Sequence, residues 1–388
     1  MPVKSYFNDH AAQYTSWRHD LHRQPELMYD LPETAAKIAR WLREFGCDIV
    51  EEGIARSGVV GVIKGHDPDC GAVIGLRADM DALPITEASG LAFASQSDGK
   101  MHACGHDGHM AILLGAAQYL AQTRAFKGTV VVVFQPAEEG GGGGLQMCRE
   151  GLMERFAIQE IYGLHNMPGI PAGHFAICEG PIMAACDEFD ITISGNGGHA
   201  ATPHLTIDPV IVAAQMIMAL QTITSRNVNP HDQVVVSVCA VETDSTAHNV
   251  ISEQVVLRGT VRSMSPQVRD FVEQQLGRVA ISTAQAFGAQ ADVSYHRGYP
   301  VTFNHAAGTA HAIDAARAVS ADVDPDVTPM MGAEDFSYML EARPGAYIWL
   351  GNGDSAALHS PHYKFDDSIL PYGAAWFSTL VEQRLPLD

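Results

Sequence analysis

Three observations predict an α/β fold for this chain, built on a mixed, mainly parallel sheet and interrupted by a ferredoxin-like α+β insertion. Up to about residue 183, short apolar runs bounded by Gly, Pro or charged residues alternate with helical patterns, as in a parallel sheet covered on both faces. From 184 to 298 the order becomes strand, helix, strand, strand, helix, strand, which is the ferredoxin-like arrangement. After Pro300 the first texture returns. Residues 1–183 with 299–388 therefore form one predicted domain and 184–298 an inserted second one, and 388 residues suffice for two cores.

The elements follow from their periodicities. Amphipathic spacing predicts helices over 8–23 and 33–45, the second opened by Pro32 and Glu33. Apolar runs at 59–63, 72–76, 129–134 and 160–164 read as buried strands, with a helix over 110–122 among them. The insertion supplies strands 188–194, 233–241, 254–262 and 292–295 and helices 209–225 and 266–287. A helix over 306–319, an apolar run at 346–350 and a closing helix over 373–384 complete the chain. Gly and Pro near 181–184 and 298–300 mark hinges. There is no internal repeat, and the glycines of 140–144 are too few for a linker.

Composition excludes several function classes. A formal charge of -21 with no basic run argues against nucleic acid or an anionic membrane as partner. The first residues lack a secretory apolar core, and no stretch approaches the roughly 20 apolar residues of a membrane span. A cytoplasmic protein is expected. The seven cysteines (47, 70, 104, 148, 178, 186, 239) are odd in number and lack framework spacing, which suits reduced thiols. Six read as small buried hydrophobes; Cys104 is the exception.

Residues 101–109 hold Cys104 and three imidazoles, His102, His106 and His109. Thiolate and neutral imidazole are zinc-type ligands, and a Cys-x-His pair in a loop can aim both donors at one point. In an open α/β sheet functional residues gather where strands end, and the other polar motifs fall at such junctions. Asp79 and Asp81 follow the run ending at Leu76, Glu138-Glu139 the run ending at Phe134, and His165 the run ending at Leu164; His359 and His362 come from the far end of the chain. Adjacent carboxylates repel and need a positive neighbour if buried together. One of the glutamates could ligate while the other takes a proton from a water.

Each motif has a plainer reading. A Glu-Glu pair is usually a solvated loop, by roughly ten to one. Lone histidines such as His165 or His359 are usually satisfied imidazoles. Asp79 and Asp81 could cap a turn before Pro84. Gly197-Gly198-His199-Ala200 could be only a tight turn, and Asn249 and Arg262 could serve local hydrogen bonding. Joint occurrence favours the metal.

Taken together the strings resemble the dinuclear metallo-aminoacylase and carboxypeptidase family, in the branch of hippurate hydrolase, auxin-conjugate hydrolase and N-acyl-L-amino acid amidohydrolases. The resemblance spans nearly the whole chain. It rests on Arg77-Ala78-Asp79-Met80-Asp81-Ala82-Leu83-Pro84, His102-Ala103-Cys104-Gly105-His106-Asp107-Gly108-His109, Phe134-Gln135-Pro136-Ala137-Glu138-Glu139, Gly163-Leu164-His165-Asn166, Gly197-Gly198-His199-Ala200, Gly332-Ala333-Glu334-Asp335-Phe336 and His359-Ser360-Pro361.

The resemblance implies metal ligands Cys104, His106, Glu139, His165 and His359, with Glu138 as general base and acid and Asp81 orienting a ligating group. It implies that His199 polarises the scissile carbonyl, often in the neighbouring subunit, and that Asn249 and Arg262 help hold substrate. His102 and His109 fall to structural roles. Five donors suit two divalent ions per subunit, manganese or zinc, with cobalt or nickel acceptable to the same groups. The first domain would be catalytic and the insertion a lid and dimerisation domain of a homodimer or higher homo-oligomer. The substrate would be a small N-acyl amino acid, N-acetyl or N-benzoyl for example. The rivals are a metallo-carboxypeptidase or dipeptidase, a carbamoyl-amino acid hydrolase on the same scaffold, and a non-catalytic metal-binding protein. The Cys104 string disfavours the first group, and Glu138 beside Glu139 disfavours the last.

Overall fold

Val130 to Phe134 offer apolar side chains to both faces of a sheet, and all five are fully buried in the strand Thr129–Gln135. This strand lies inside an eight-stranded sheet whose order is Ile49–Ile54, Gly58–Lys64, Thr129–Gln135, Val73–Asp79, Glu160–Met167, Gly345–Gly351, Phe175–Ala176, Val323–Asp324. The four strands from Thr129–Gln135 to Gly345–Gly351 are mutually parallel. Gly58–Lys64 and Ile49–Ile54 extend one side antiparallel, and Phe175–Ala176 runs antiparallel to Gly345–Gly351. The sheet is therefore mixed and mainly parallel at its centre, as the sequence predicts.

The computed structural model describes residues 3 to 387. The chain forms two compact units, Met1–Ile182 with Phe303–Thr328 and Asp335–Asp388, and Met183–Thr302 with Pro329–Glu334. The segment Pro329–Glu334 is a departure from the expected division. It joins the second unit through a Met183↔Met330 bridge and the Ala184 N–H donating to the Gly332 carbonyl at 2.9 Å, long-range contacts that local periodicity does not reveal.

Several boundaries differ from expectation for one reason: polar residues with good partners let an element run beyond its apolar stretch. Val73–Asp79 takes in Arg77 and Asp79, and Glu160–Met167 takes in His165 and Asn166. The helix expected from 110 begins at His106. The predicted first helix is two, Val3–Asp9 and Ala11–Arg23, broken at His10. The half-exposed edge strand Ile49–Ile54, which carries two glutamates and little apolar patterning, has no counterpart in the sequence reading.

In the second unit an antiparallel sheet is ordered Val234–Thr243, Gln254–Ser263, Ala185–Ser194, Gln290–Arg297. Alternate residues of Ala185–Ser194 point inward, Phe189, Ile191 and Ile193 among them, onto Val212, Met216 and Leu220 of helix Pro209–Thr222 and Val272 and Leu276 of helix Pro266–Ala286. Asp208 and Ser265 cap the two helices by accepting the N–H of Val210 and Val268.

The cysteines require a correction. None of the seven forms a disulfide, but only Cys104 and Cys178 are buried; Cys70 and Cys239 are exposed and the rest partly covered. No helix among the described residues is long and apolar enough to cross a membrane.

Candidate metal centre

Asp79 ends its strand, Glu138 and Glu139 follow Thr129–Gln135, His165 lies near the end of Glu160–Met167, and His359 follows Gly345–Gly351. These are the carboxyl ends of four adjacent parallel strands, where an open α/β sheet leaves a crevice. The helix His106–Thr123 brings Cys104 and His106 to the same place from its N-terminus.

The donor atoms come together in overlapping groups. Cys104, His106 and His165 form one, Cys104, Glu139 and His359 a second, and His106, Glu138 and Glu139 a third, with the atoms of each group within 4.8 Å of one another. Cys104 Sγ lies 3.4 Å from His165 Nε2, and Glu139 Oε1 lies 3.4 Å from His359 Nε2 and 3.9 Å from His106 Nε2. Three of the five expected ligands, Cys104, His106 and His165, are buried, whereas His359 is exposed.

Ring orientation separates ligands from braces. His106 Nδ1 meets the Asp81 carbonyl at 2.8 Å and His165 Nδ1 meets the Asn166 carbonyl at 2.6 Å, so in each case Nε2 is the nitrogen turned to the cluster. His109 spends both nitrogens, Nδ1 on Asp79 Oδ1 at 2.6 Å and Nε2 on Asn166 at 2.7 Å. His102 is buried and burial pushes it down to about 3, so it stays neutral.

The carboxylates are held just as firmly. Asp81 accepts the N–H of Glu138 at 2.9 Å and of Glu139 at 3.1 Å, which fixes the pair at its root; burial nevertheless raises its pKa. This is more than a turn cap. Asp79 is gripped by Arg77 at 2.8 Å as well as by His109. Burial works against its charge, but His106, His109 and Arg77 hold its carboxyl well below the usual range. Arg77 also donates to Gln135 and Asp335, and Asp335 accepts the Gly144 N–H at 2.8 Å, tying down the glycine-rich loop.

Two observations show that these donors fit a divalent cation. His106 Nε2 and Glu139 Oε1 are buried without a hydrogen-bond partner, although buried polar atoms are ordinarily paired. Burial would lower the His106 pKa, yet Asp79, Asp81 and Glu139 outweigh it and raise the ring to about 10; a metal ion would take that proton's place among the same carboxylates. Backbone strain gathers here too. Ala137 (φ 54°) and His359 (φ 66°) adopt left-handed conformations unusual for residues with side chains.

The remaining predicted residues lie in the second unit. His199 pairs with Val250 in a two-stranded ribbon and accepts the Ala201 N–H on Nδ1 at 3.0 Å. Asn249 is its neighbour, its carbonyl accepting the Ala200 N–H at 3.0 Å. Arg262 is not brought to them. Gln254, paired with Ser194, is at their end of the sheet, whereas Arg262 pairs with Cys186 near the other, roughly 25 Å along the strand. Its Nη1 is buried without a partner. Arg77, Gln135, Asn166 and Asp335 have no role that the sequence alone assigns, although all four stand inside the motifs.

The chain is similar to known proteins over most of its length. The model described as peptidase family M20/M25/M40 matches residues 75–383. The chain is 40% identical over 369 residues to an N-acetylcysteine deacetylase of Bacillus subtilis, covering 94% of each, and 37% identical over 379 residues to a hippurate hydrolase of Campylobacter jejuni, covering 97% of this chain and 98% of that one. It superposes with a TM-score of 0.86 and 36% identity on a dinuclear metal-binding M20 peptidase from Bacillus subtilis, covering 97% of this chain and 99% of that one. With the family match running from the strand Val73–Asp79 to the closing helix, the chain belongs to peptidase family M20/M25/M40.

Proposed function

We propose that this protein is a metal-dependent amidohydrolase that cleaves N-acyl amino acids, with N-acetyl or N-benzoyl groups among those accepted, to a carboxylic acid and a free amino acid. The observation that carries the reading is the convergence of Cys104, His106, Glu138, Glu139, His165 and His359 with two orphaned donor atoms facing inward. The names of the deacetylase and hippurate hydrolase relatives support the substrate class.

Cys104, His106, Glu139, His165 and His359 would hold two divalent ions, manganese or zinc, with cobalt or nickel compatible with the same donors. When bound, the ions supply Lewis acidity that polarises the scissile carbonyl and acidifies a water. Glu138, 7% exposed and fixed by its N–H on Asp81, takes the proton of the attacking water and returns it to the departing amine nitrogen. Asp81 holds both glutamates and the His106 ring in register. His199 donates to the oxyanion as charge develops. Asn249, beside His199, and Arg262, at the far end of the second unit's antiparallel sheet, hold the polar end of the substrate from different subunits.

A homodimer accommodates the separation of His199 from Arg262, each subunit's His199 serving the other subunit's centre while the inserted unit acts as lid. A reducing cytoplasm suits seven cysteines that form no disulfide. The test is a screen of N-acetyl, N-benzoyl and indole-acyl amino acids with purified protein reconstituted with manganese, zinc, cobalt or nickel. Metal-dependent release of free amino acid is expected; turnover indifferent to chelation would overturn the reading.

A further inference from the structure

We propose that Trp349 is a substrate-binding residue whose indole N–H donates a hydrogen bond to an oxygen of the bound N-acyl amino acid, an inference that rests on the amidohydrolase reading above. Trp349 sits in the fully buried strand Gly345–Gly351, in an apolar run that hides it from sequence inspection. The strand is parallel to Glu160–Met167, and the register pairs Trp349 with His165 and Tyr347 with Gly163. Residues in register on neighbouring strands share a face, with the strands about 4.8 Å apart. Tyr347, two residues earlier on the same face, brings its ring to 6.4 Å from the His165 ring. The side of this strand that carries Trp349 therefore flanks the histidine whose Nε2 faces Cys104.

The indole itself is unusual. Trp349 is 4% exposed, yet its Nε1 has no acceptor. Trp376, also buried, donates to the Ala312 carbonyl at 3.0 Å, which is the ordinary fate of a buried indole N–H. An unanswered donor beside a metal-ligating group is answered when a ligand brings an acceptor. Indole N–H can donate and cannot accept, so the ligand atom is an acceptor, for which oxygens of carbonyl and carboxylate type are suited. An N-acyl amino acid carries both, and its product acid keeps a carboxylate. A bond present equally in bound substrate and transition state changes KM rather than kcat.

Trp349→Phe, made in the metal-loaded full-length protein, removes the N–H and keeps an aromatic ring. The KM for N-benzoylglycine should rise about tenfold with kcat little changed, as for loss of one hydrogen bond, and metal content should match the parent. In protein labelled with 15N at the tryptophan indoles, titration with benzoate should shift one indole N–H resonance, the one missing from the Trp349→Phe spectrum. If that resonance stays put and KM is unaltered, the proposal is overturned, the donor being served by an internal water. Should the parent hydrolyse no N-acyl amino acid, the amidohydrolase reading falls separately, and the benzoate titration still decides the role of Trp349.

Discussion

At the scale of single residues, the two glutamates divide into different roles although they are neighbours. Glu138→Gln should leave metal content intact and reduce turnover by about 10²- to 10⁴-fold, the range of a lost general base, whereas Glu139→Ala should lose metal; elemental analysis beside kcat separates the two. His106 carries a pH signature. Its pKa is raised to about 10 in the metal-free protein, so at neutral pH the ring is protonated and must release that proton to ligate. Apparent metal affinity should therefore fall as pH drops below about 10, by about tenfold per unit where this is the one proton exchanged. Calorimetry in buffers of different ionisation enthalpy would register the released proton, and affinity that does not vary between pH 7 and 9 would contradict the assignment. The sequence could flag His106 and His109 alike. It could not rank them, because the distinction lies in which ring nitrogens meet Asp81, Asp79 and Asn166, all remote in the chain.

At the scale of elements, the helix His106–Thr123 is the device that turns a motif into a site. Its first turn is crowded enough to require glycine. A Cβ on Gly108 would stand 2.1 Å from the Phe365 ring, and one on Gly105, whose φ is +91°, would stand 2.2 Å from Asn166 Oδ1. Gly108→Ala should destabilise the protein by about 1–3 kcal/mol through overpacking, read as a lowered denaturation midpoint of the metal-free form. Arg18 and His22 of helix Ala11–Arg23 both reach Asp107 Oδ2 at 2.8 Å, bracing that turn from behind. The helical periods were legible because burial of one face imposes them. The start at His106 was not, since Asp107 and His109 are tolerated in the interior only by virtue of these distant partners.

At the scale of the whole molecule, the proposed exchange of His199 between subunits has a direct test. His199→Ala alone should lower turnover and leave metal content unchanged. Mixing Glu138→Gln subunits with His199→Ala subunits should restore about a quarter of parental activity, because half of randomly paired dimers hold one complete site; no restoration would assign His199 to its own subunit. The sequence by itself determined the α/β class, the ferredoxin-like insertion and the donor types of the metal centre, because buried strands, helix faces and ligand chemistry each impose a local pattern on the chain. Only the tertiary structure decided that His109 braces while His106 and His165 face the cluster, that Pro329–Glu334 joins the second unit, that Arg262 stands apart from His199, and that Trp349 lies beside His165. Those outcomes depend on register and on partners remote in sequence, which no local pattern encodes.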